Sequence, residues 1–191
     1  MELSKYNIQG FFVERRIGLS NIVLIGMPGC GKSTVGVLLA KALGMSFVDT
    51  DVVFQANEGR KLQSIIEEIG IDAFLEKEEA TVLEMSCDKT VIATGGSVVY
   101  GKRAMKKLHR DGTVVYIRLP FSEIERRLSN LATRGVTLRN GQTLADLYDE
   151  RIPLYEKEAD IVLDAADCTI DQTVVALTRR IEALHGVCHG C

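Results

Sequence analysis

Five short, near-continuous apolar runs rich in β-branched residues recur along the chain, at residues 21–26, 46–51, 90–95, 112–119 and 160–163. Each reads as a strand buried on both faces of a parallel sheet. Between them lie stretches with helical spacing and start signals. Residues 32–43 read as a helix, and Ser122-Glu123-Ile124-Glu125 and Thr169-Ile170-Asp171-Gln172 are both shaped like capping boxes. The apolar positions Val82, Leu83 and Met85, and Val174, Val175, Leu177, Ile181 and Leu184, read as core-facing helix surface. Strands alternating with helices predict a three-layer α/β domain with right-handed crossovers. Ligands of such sheets collect beyond the carboxyl ends of the strands, so Gly26, Asp49, Asp51, Gly95 and Gly96 are expected to converge.

The chemistry is concentrated where the first strand ends. Gly26-Met27-Pro28-Gly29-Cys30-Gly31-Lys32-Ser33-Thr34 fits the phosphate-loop pattern G-x-x-x-x-G-K-[ST], between the apolar run 21–25 and a helical segment. Its glycines let successive backbone N–H groups point into one concavity, Lys32 supplies an ammonium for the β/γ-phosphates, and Ser33 offers a hydroxyl to Mg²⁺. The helix that follows aims its positive end at the same phosphates. Nucleoside triphosphate binding is the expectation.

Composition narrows the partners. The 191 residues suffice for one substantial core. A net charge of −3 with scattered basic residues gives no general attraction to nucleic acid or to an anionic membrane, which favours a small-molecule substrate. No apolar stretch approaches the roughly 20 residues that span a bilayer, and residues 1–20 lack a signal-peptide pattern, so a cytoplasmic protein is expected. The five cysteines form no framework and read as reduced thiols. Cys30 reads as a small residue at a variable loop position. The tail from His185 to Cys191 places His and Cys closely but lacks a matching second half for a Zn²⁺ site. The expected organisation is an N-terminal extension at 1–20, a phosphate-loop domain at 21–186 and a C-terminal tail at 187–191, as a monomer with a homodimer as the alternative.

Beside the phosphate loop, the other candidates suit phosphoryl transfer. Such an enzyme needs a metal, positive charge over the transferred group and a carboxylate to orient and deprotonate the accepting hydroxyl. The second strand is read as running to Asp51, which puts Asp49 and Asp51 on one side of it. Asp49 suits the metal shell and Asp51 the hydroxyl; capping of the next turn is the structural alternative. Gly95 and Gly96 would let a ligand approach backbone N–H groups closely, or make a simple tight turn. Arg126 and Arg127 precede residues 130–142, which contain Arg134 and read as a mobile lid that brings a guanidinium to the phosphate. Solvated surface arginines are the plainer reading.

Taken together these residues resemble the shikimate kinase family, of the nucleoside-monophosphate-kinase-like P-loop fold. The resemblance spans residues 20–185 and adds the segment Gly70, Phe74, Glu78, the run Ala93-Thr94-Gly95-Gly96, and Arg151-Ile152-Pro153-Leu154-Tyr155. It implies five parallel strands in the order 2-3-1-4-5, with ATP and Mg²⁺ as cofactors. Gly29, Cys30, Gly31, Lys32, Ser33 and Thr34 would hold the phosphates, and Ser33 with Asp49, through water, the metal. Arg127 would stack on adenine and Arg134 would be the lid arginine. Asp51, Gly95, Gly96 and Arg151 would bind the acceptor, Arg151 pairing with its carboxylate. Lys32, Asp51 and Arg134 would carry the catalysis.

Departures fall on the acceptor side and the lid. The family pattern G-E-x-x-F-R-x-x-E is here Gly70 to Glu78 with Leu75 in the arginine position, the third glycine after the strand is Ser97, and the lid reads Arg134-Gly135-Val136-Thr137-Leu138. Loss of a bidentate guanidinium from a buried carboxylate costs on the order of 2–5 kcal/mol unless Lys77 or another cation substitutes. The expected activity is transfer of the γ-phosphoryl of ATP to a hydroxyl of shikimate, giving shikimate 3-phosphate. The alternatives are a kinase of another polyol or cyclitol, and a nucleotide-binding regulatory protein that has lost acceptor phosphorylation.

Overall fold

The computed structural model describes residues 20–129, 136, 138–139 and 141–184. Residues 1–19, most of the segment 130–142 read as a lid, including Arg134, and residues 185–191 lie outside the described residues. The strands are β1 (Asn21–Ile25), β2 (Ser46–Asp49), β3 (Thr90–Ala93), β4 (Gly112–Arg118) and β5 (Ile161–Asp164). The helices are α1 (Lys32–Leu43), α2 (Thr50–Glu58), α3 (Leu62–Glu84), α4 (Lys102–Asp111), α5 (Phe121–Ser129), α6 (Leu144–Glu158) and α7 (Ile170–Leu184). A single 3₁₀ turn at Val98–Tyr100 leads into α4.

All five strands are parallel, in the order β2-β3-β1-β4-β5. β1 is central and completely buried, which is why Ile22 to Ile25 form an unbroken apolar run. Helices α1 and α7 pack on each other, and α4 and α6 pack against β4. Gly36 lets α1 approach closely, since a Cβ there would stand 2.6 Å from the Phe47 ring. A second, small apolar cluster of Phe54, Ile65 and Phe74 ties α2 to α3, with Leu75 packed against it.

Local signals hold in part. Thr169 and Gln172 cap α7 reciprocally, at 2.8 and 3.2 Å. Ser122, read as a helix cap, lies inside α5, because the Pro120 carbonyl already accepts the N–H groups of Glu123 and Ile124. In α7, Val174, Leu177 and Ile181 are buried, whereas Val175 and Leu184 face outward, off the stripe that packs on the sheet. A further correction concerns the second strand. It ends at Asp49, and Asp51 belongs to the first turn of α2, so the two carboxylates stand on different elements of a strand-to-helix junction, although both line the same cavity.

Candidate active site

Between the end of β1 and the start of α1, Gly29 (φ 78°) and Gly31 (φ 101°) adopt the left-handed backbone that curls the phosphate loop. Lys32, the first residue of α1, is largely buried, and its ammonium donates to the carbonyls of Gly26 (2.8 Å) and Met27 (3.0 Å). No side chain caps α1, so its first-turn N–H groups are left to an anionic ligand.

The next residue of α1 reaches β2. The Ser33 hydroxyl donates to Asp49 Oδ2 at 2.6 Å, while Asp49 Oδ1 accepts the N–H groups of Asp51 (3.0 Å) and Val52 (3.4 Å). Asp49 is thus both the cap of α2 and the partner of the loop serine. Ser33 and Asp49 form a pair of hard oxygen donors, the chemistry that suits Mg²⁺ completed by phosphate and water. Among the described residues there is no group of three or more His, Cys, Asp or Glu that could hold a metal unaided.

The cap turns Asp51 inward. Burial, with the Asp49 charge adding to it and Lys32 opposing, raises the Asp51 carboxyl to about 6. Thr50, buried behind it, accepts the Gly95 N–H at 3.0 Å, so that amide is engaged by the protein. The missing side chains of Gly95 and Gly96 make room for other residues. A Cβ on Gly95 would overlap Glu78 Oε1 and stand 2.7 Å from Asp51 Oδ1; one on Gly96 would stand 2.8 Å from the Pro28 ring and 3.0 Å from the Arg151 guanidinium.

Glu78 is the functional candidate that sequence reasoning left without a role. It is buried, and burial drives its carboxyl up to about 7 against a hydrogen bond from Ser97, with Asp51 raising it further and Arg151 and Lys32 pulling it down. The available signal was its place on α3, four residues after buried Phe74 and four before buried Val82, on the apolar stripe of a highly charged run. Arg151, on α6, is fully buried behind Gly96; it donates to the Tyr100 hydroxyl at 3.2 Å and lies over the Tyr100 ring. Tyr155, one turn later, donates to the Gly96 carbonyl.

These elements enclose a cavity of about 920 Å³. The phosphate loop from Gly29 to Thr34 lies along it; Arg127, Leu128, Ala165 and Cys168 line one part, and Asp51, Gln55, Lys61, Phe74, Glu78 and Gly95 to Ser97 another. Arg127 reaches the Gly29 carbonyl at 3.4 Å, whereas Arg126 is solvated and paired with Glu123. Leu75 packs into the small apolar cluster and Lys77 pairs with Glu58 at 2.7 Å; neither lines the cavity. The cation that does line it beside the acceptor residues is Lys61, at the start of α3. Cys30, Cys87 and Cys168 are free thiols, Cys30 buried inside the loop.

Comparison with known proteins agrees with this architecture. The family profile for shikimate kinase matches residues 28–182. The shikimate kinase of Chlorobium chlorochromatii is 39% identical over 174 residues, covering 85% of this chain and 91% of the relative. That of Thermodesulfovibrio yellowstonii is 35% identical, covering 87% and 97%. Among solved structures, a shikimate kinase from Acinetobacter baumannii in complex with shikimate superposes with a TM-score of 0.80 at 29% identity, covering 87% of this chain and 94% of that one. With the phosphate loop, the 2-3-1-4-5 sheet and these matches, the chain belongs to the shikimate kinase family, ATP-using kinases that act on a hydroxyl acceptor.

Proposed function

We propose that this chain phosphorylates shikimate at its 3-hydroxyl, with ATP as donor, to give shikimate 3-phosphate and ADP. The observation that carries the reading is that Asp51, a half-buried carboxyl raised to about 6, lines the same cavity as the phosphate loop. A base poised there is close to the working pH of a cytoplasmic enzyme. Asp51 takes the proton of the acceptor hydroxyl as its oxygen bonds to the γ-phosphorus, and the bond to the bridging oxygen breaks to release ADP. Lys32 leaves the Gly26 and Met27 carbonyls for the β/γ-phosphates. Mg²⁺ held by Ser33 directly and by Asp49 through water would offset charge on the phosphates when bound. Arg127 stacks on adenine, and Arg134 closes over the transferring phosphoryl group as part of the lid. Gly29, Cys30, Gly31 and Thr34 complete the phosphate site, and Gly95, Gly96 and Arg151 the acceptor site. The catalytic unit is residues 21–186, acting as a monomer.

A second reading has its own support: Leu75 brings no guanidinium to the acceptor side and Lys77 is held by Glu58, which favours a polyol less dependent on a carboxylate clamp. A coupled ADP-release assay of wild type with shikimate, quinate and a panel of cyclitols separates the two. Saturable turnover of shikimate at micromolar to millimolar KM supports the first reading; turnover of a cyclitol alone supports the second.

A further inference from the structure

Among the described residues, three cations line the cavity: Lys32, Arg127 and Lys61. The first two stand at the phosphate loop, where Lys32 donates to the Gly26 and Met27 carbonyls and Arg127 to the Gly29 carbonyl. Lys61 stands at the acceptor residues. Arg151 is fully buried, donates to the Tyr100 hydroxyl and does not line the cavity, so its charge acts from behind Gly96.

Lys61 is exposed, and its charge is unclaimed. The carboxylates near it serve its neighbours: Glu58 takes Lys77 at 2.7 Å and Arg60 at 3.8 Å, and Glu68 also takes Arg60. Among the described residues the Lys61 ammonium has no carboxylate partner. Its backbone, in contrast, is tied to the catalytic helix. Gln55, one turn along α2, donates to the Asp51 carbonyl at 3.2 Å and accepts the Leu62 N–H at 3.4 Å. The start of α3, and Lys61 with it, is therefore held one turn of α2, about 5 Å of rise, beyond Asp51. The flexible four-carbon stem lets the ammonium reach across the space between. A ring whose reacting hydroxyl faces Asp51 carries its carboxylate two ring atoms away, a comparable span.

We propose that Lys61 is the specificity-determining cation of the acceptor site, its ammonium meeting the acceptor carboxylate from the open side of the cavity where Leu75 supplies no guanidinium. The proposal deepens the shikimate reading above and rests on it for the choice of ligand. A single mobile ammonium replaces a rigid bidentate fork, so the contact is weaker, tolerant of carboxylate orientation and sensitive to salt.

The test is a ligand–protein cycle on the full chain with ADP present. Dissociation constants of shikimate and of its methyl ester, which lacks the negative charge, are measured calorimetrically for wild type, Lys61→Met and Lys61→Arg, with ADP affinity and Tm as checks on folding. K61M should weaken shikimate about 5- to 20-fold and the ester less than about twofold. K61R, which restores a cation, should bind shikimate within about threefold of wild type. Raising the salt should shrink the wild-type preference for shikimate over the ester and leave that of K61M nearly flat. In turnover the K61M loss should fall on KM and not on kcat, because the pair is made equally in ground and transition states. Equal losses for both ligands in K61M, or none, overturn the assignment, as does a K61R no better than K61M or a wild type that binds the ester as tightly as shikimate. A wild type that binds with the expected pattern but does not phosphorylate shikimate would refute the proposed activity and leave the role of Lys61 standing.

Discussion

Gly95→Ala is the sharpest perturbation of the acceptor region, because the space its methyl would fill is already taken. The new Cβ would stand 2.7 Å from Asp51 Oδ1 and closer still to Glu78 Oε1. Both carboxylates would have to retreat by roughly 1 Å to reach van der Waals separation. Neither has an easy escape: Asp51 is fixed by its amide on the Asp49 cap, and Glu78 sits on the buried Phe74 to Val82 stripe of α3. Overpacking of this kind costs about 1–3 kcal/mol, or a Tm lower by about 2–12 °C for a domain of this size. A shift of about 1 Å in an acceptor-positioning group costs on the order of 100-fold in kcat/KM. The phosphate loop does not depend on Gly95, so the dissociation constant for ATP should change less than about threefold. Calorimetry, nucleotide titration and shikimate kinetics on one preparation make the comparison. Unchanged acceptor kinetics would refute the reasoning, as would a loss shared equally by ATP and acceptor.

Other outcomes follow from neighbouring contacts. Asp49→Asn keeps a capping oxygen for α2 but removes the charge behind the metal, so the Mg²⁺ concentration for half-maximal activity should rise about 10- to 100-fold with little change in Tm; a falling Tm with unchanged Mg²⁺ demand would reassign Asp49 to capping alone. Thr50→Val strips the Gly95 N–H of its acceptor and should destabilise by about 1–3 kcal/mol in urea unfolding, whereas a neutral effect would mean the amide finds another partner. Glu78 has its carboxyl raised from 4.5 to about 7 by burial, so between those values the unfolded chain releases a proton that the folded chain keeps. Its contribution to stability is therefore full below about pH 4.5 and is lost as pH rises through about 7, by on the order of 3 kcal/mol. Urea unfolding at pH 5 and 8 should show a smaller drop for E78Q than for wild type, and equal drops would contradict the assignment.

What the sequence discloses here is what local physics controls. The apolar runs marked the strands because parallel strands covered on both faces can hold almost nothing else, and the phosphate loop was legible because its glycines and lysine serve one compact task. Asp49-Thr50-Asp51 was read one step too far as strand, since a strand end and a helix cap use the same residues and only the turn at Thr50 decides between them. The purposes of Gly95 and Gly96 were hidden because the groups that crowd them, Glu78, Asp51, Pro28 and Arg151, come from four other parts of the chain. Lys77 looked like a spare cation until the fold brought Glu58, nineteen residues away, against it. Among the glutamates of α3, the helical stripe picks out Glu78 as the buried one, but its convergence with Asp51 depends on how β3 meets α2 and α3.

The central claim, that the cavity joins a phosphate loop to an acceptor site in which Asp51 is the base, is tested most directly by ³¹P NMR of the reaction. Wild type, ATP, Mg²⁺ and shikimate should yield ADP and a phosphomonoester resonance identified as shikimate 3-phosphate. Asp51→Asn should bind ATP as wild type does and form the ester about 100- to 10,000-fold more slowly. Wild-type protein that binds ATP but forms no phosphate ester of shikimate, or an Asp51→Asn variant as fast as wild type, would contradict the account.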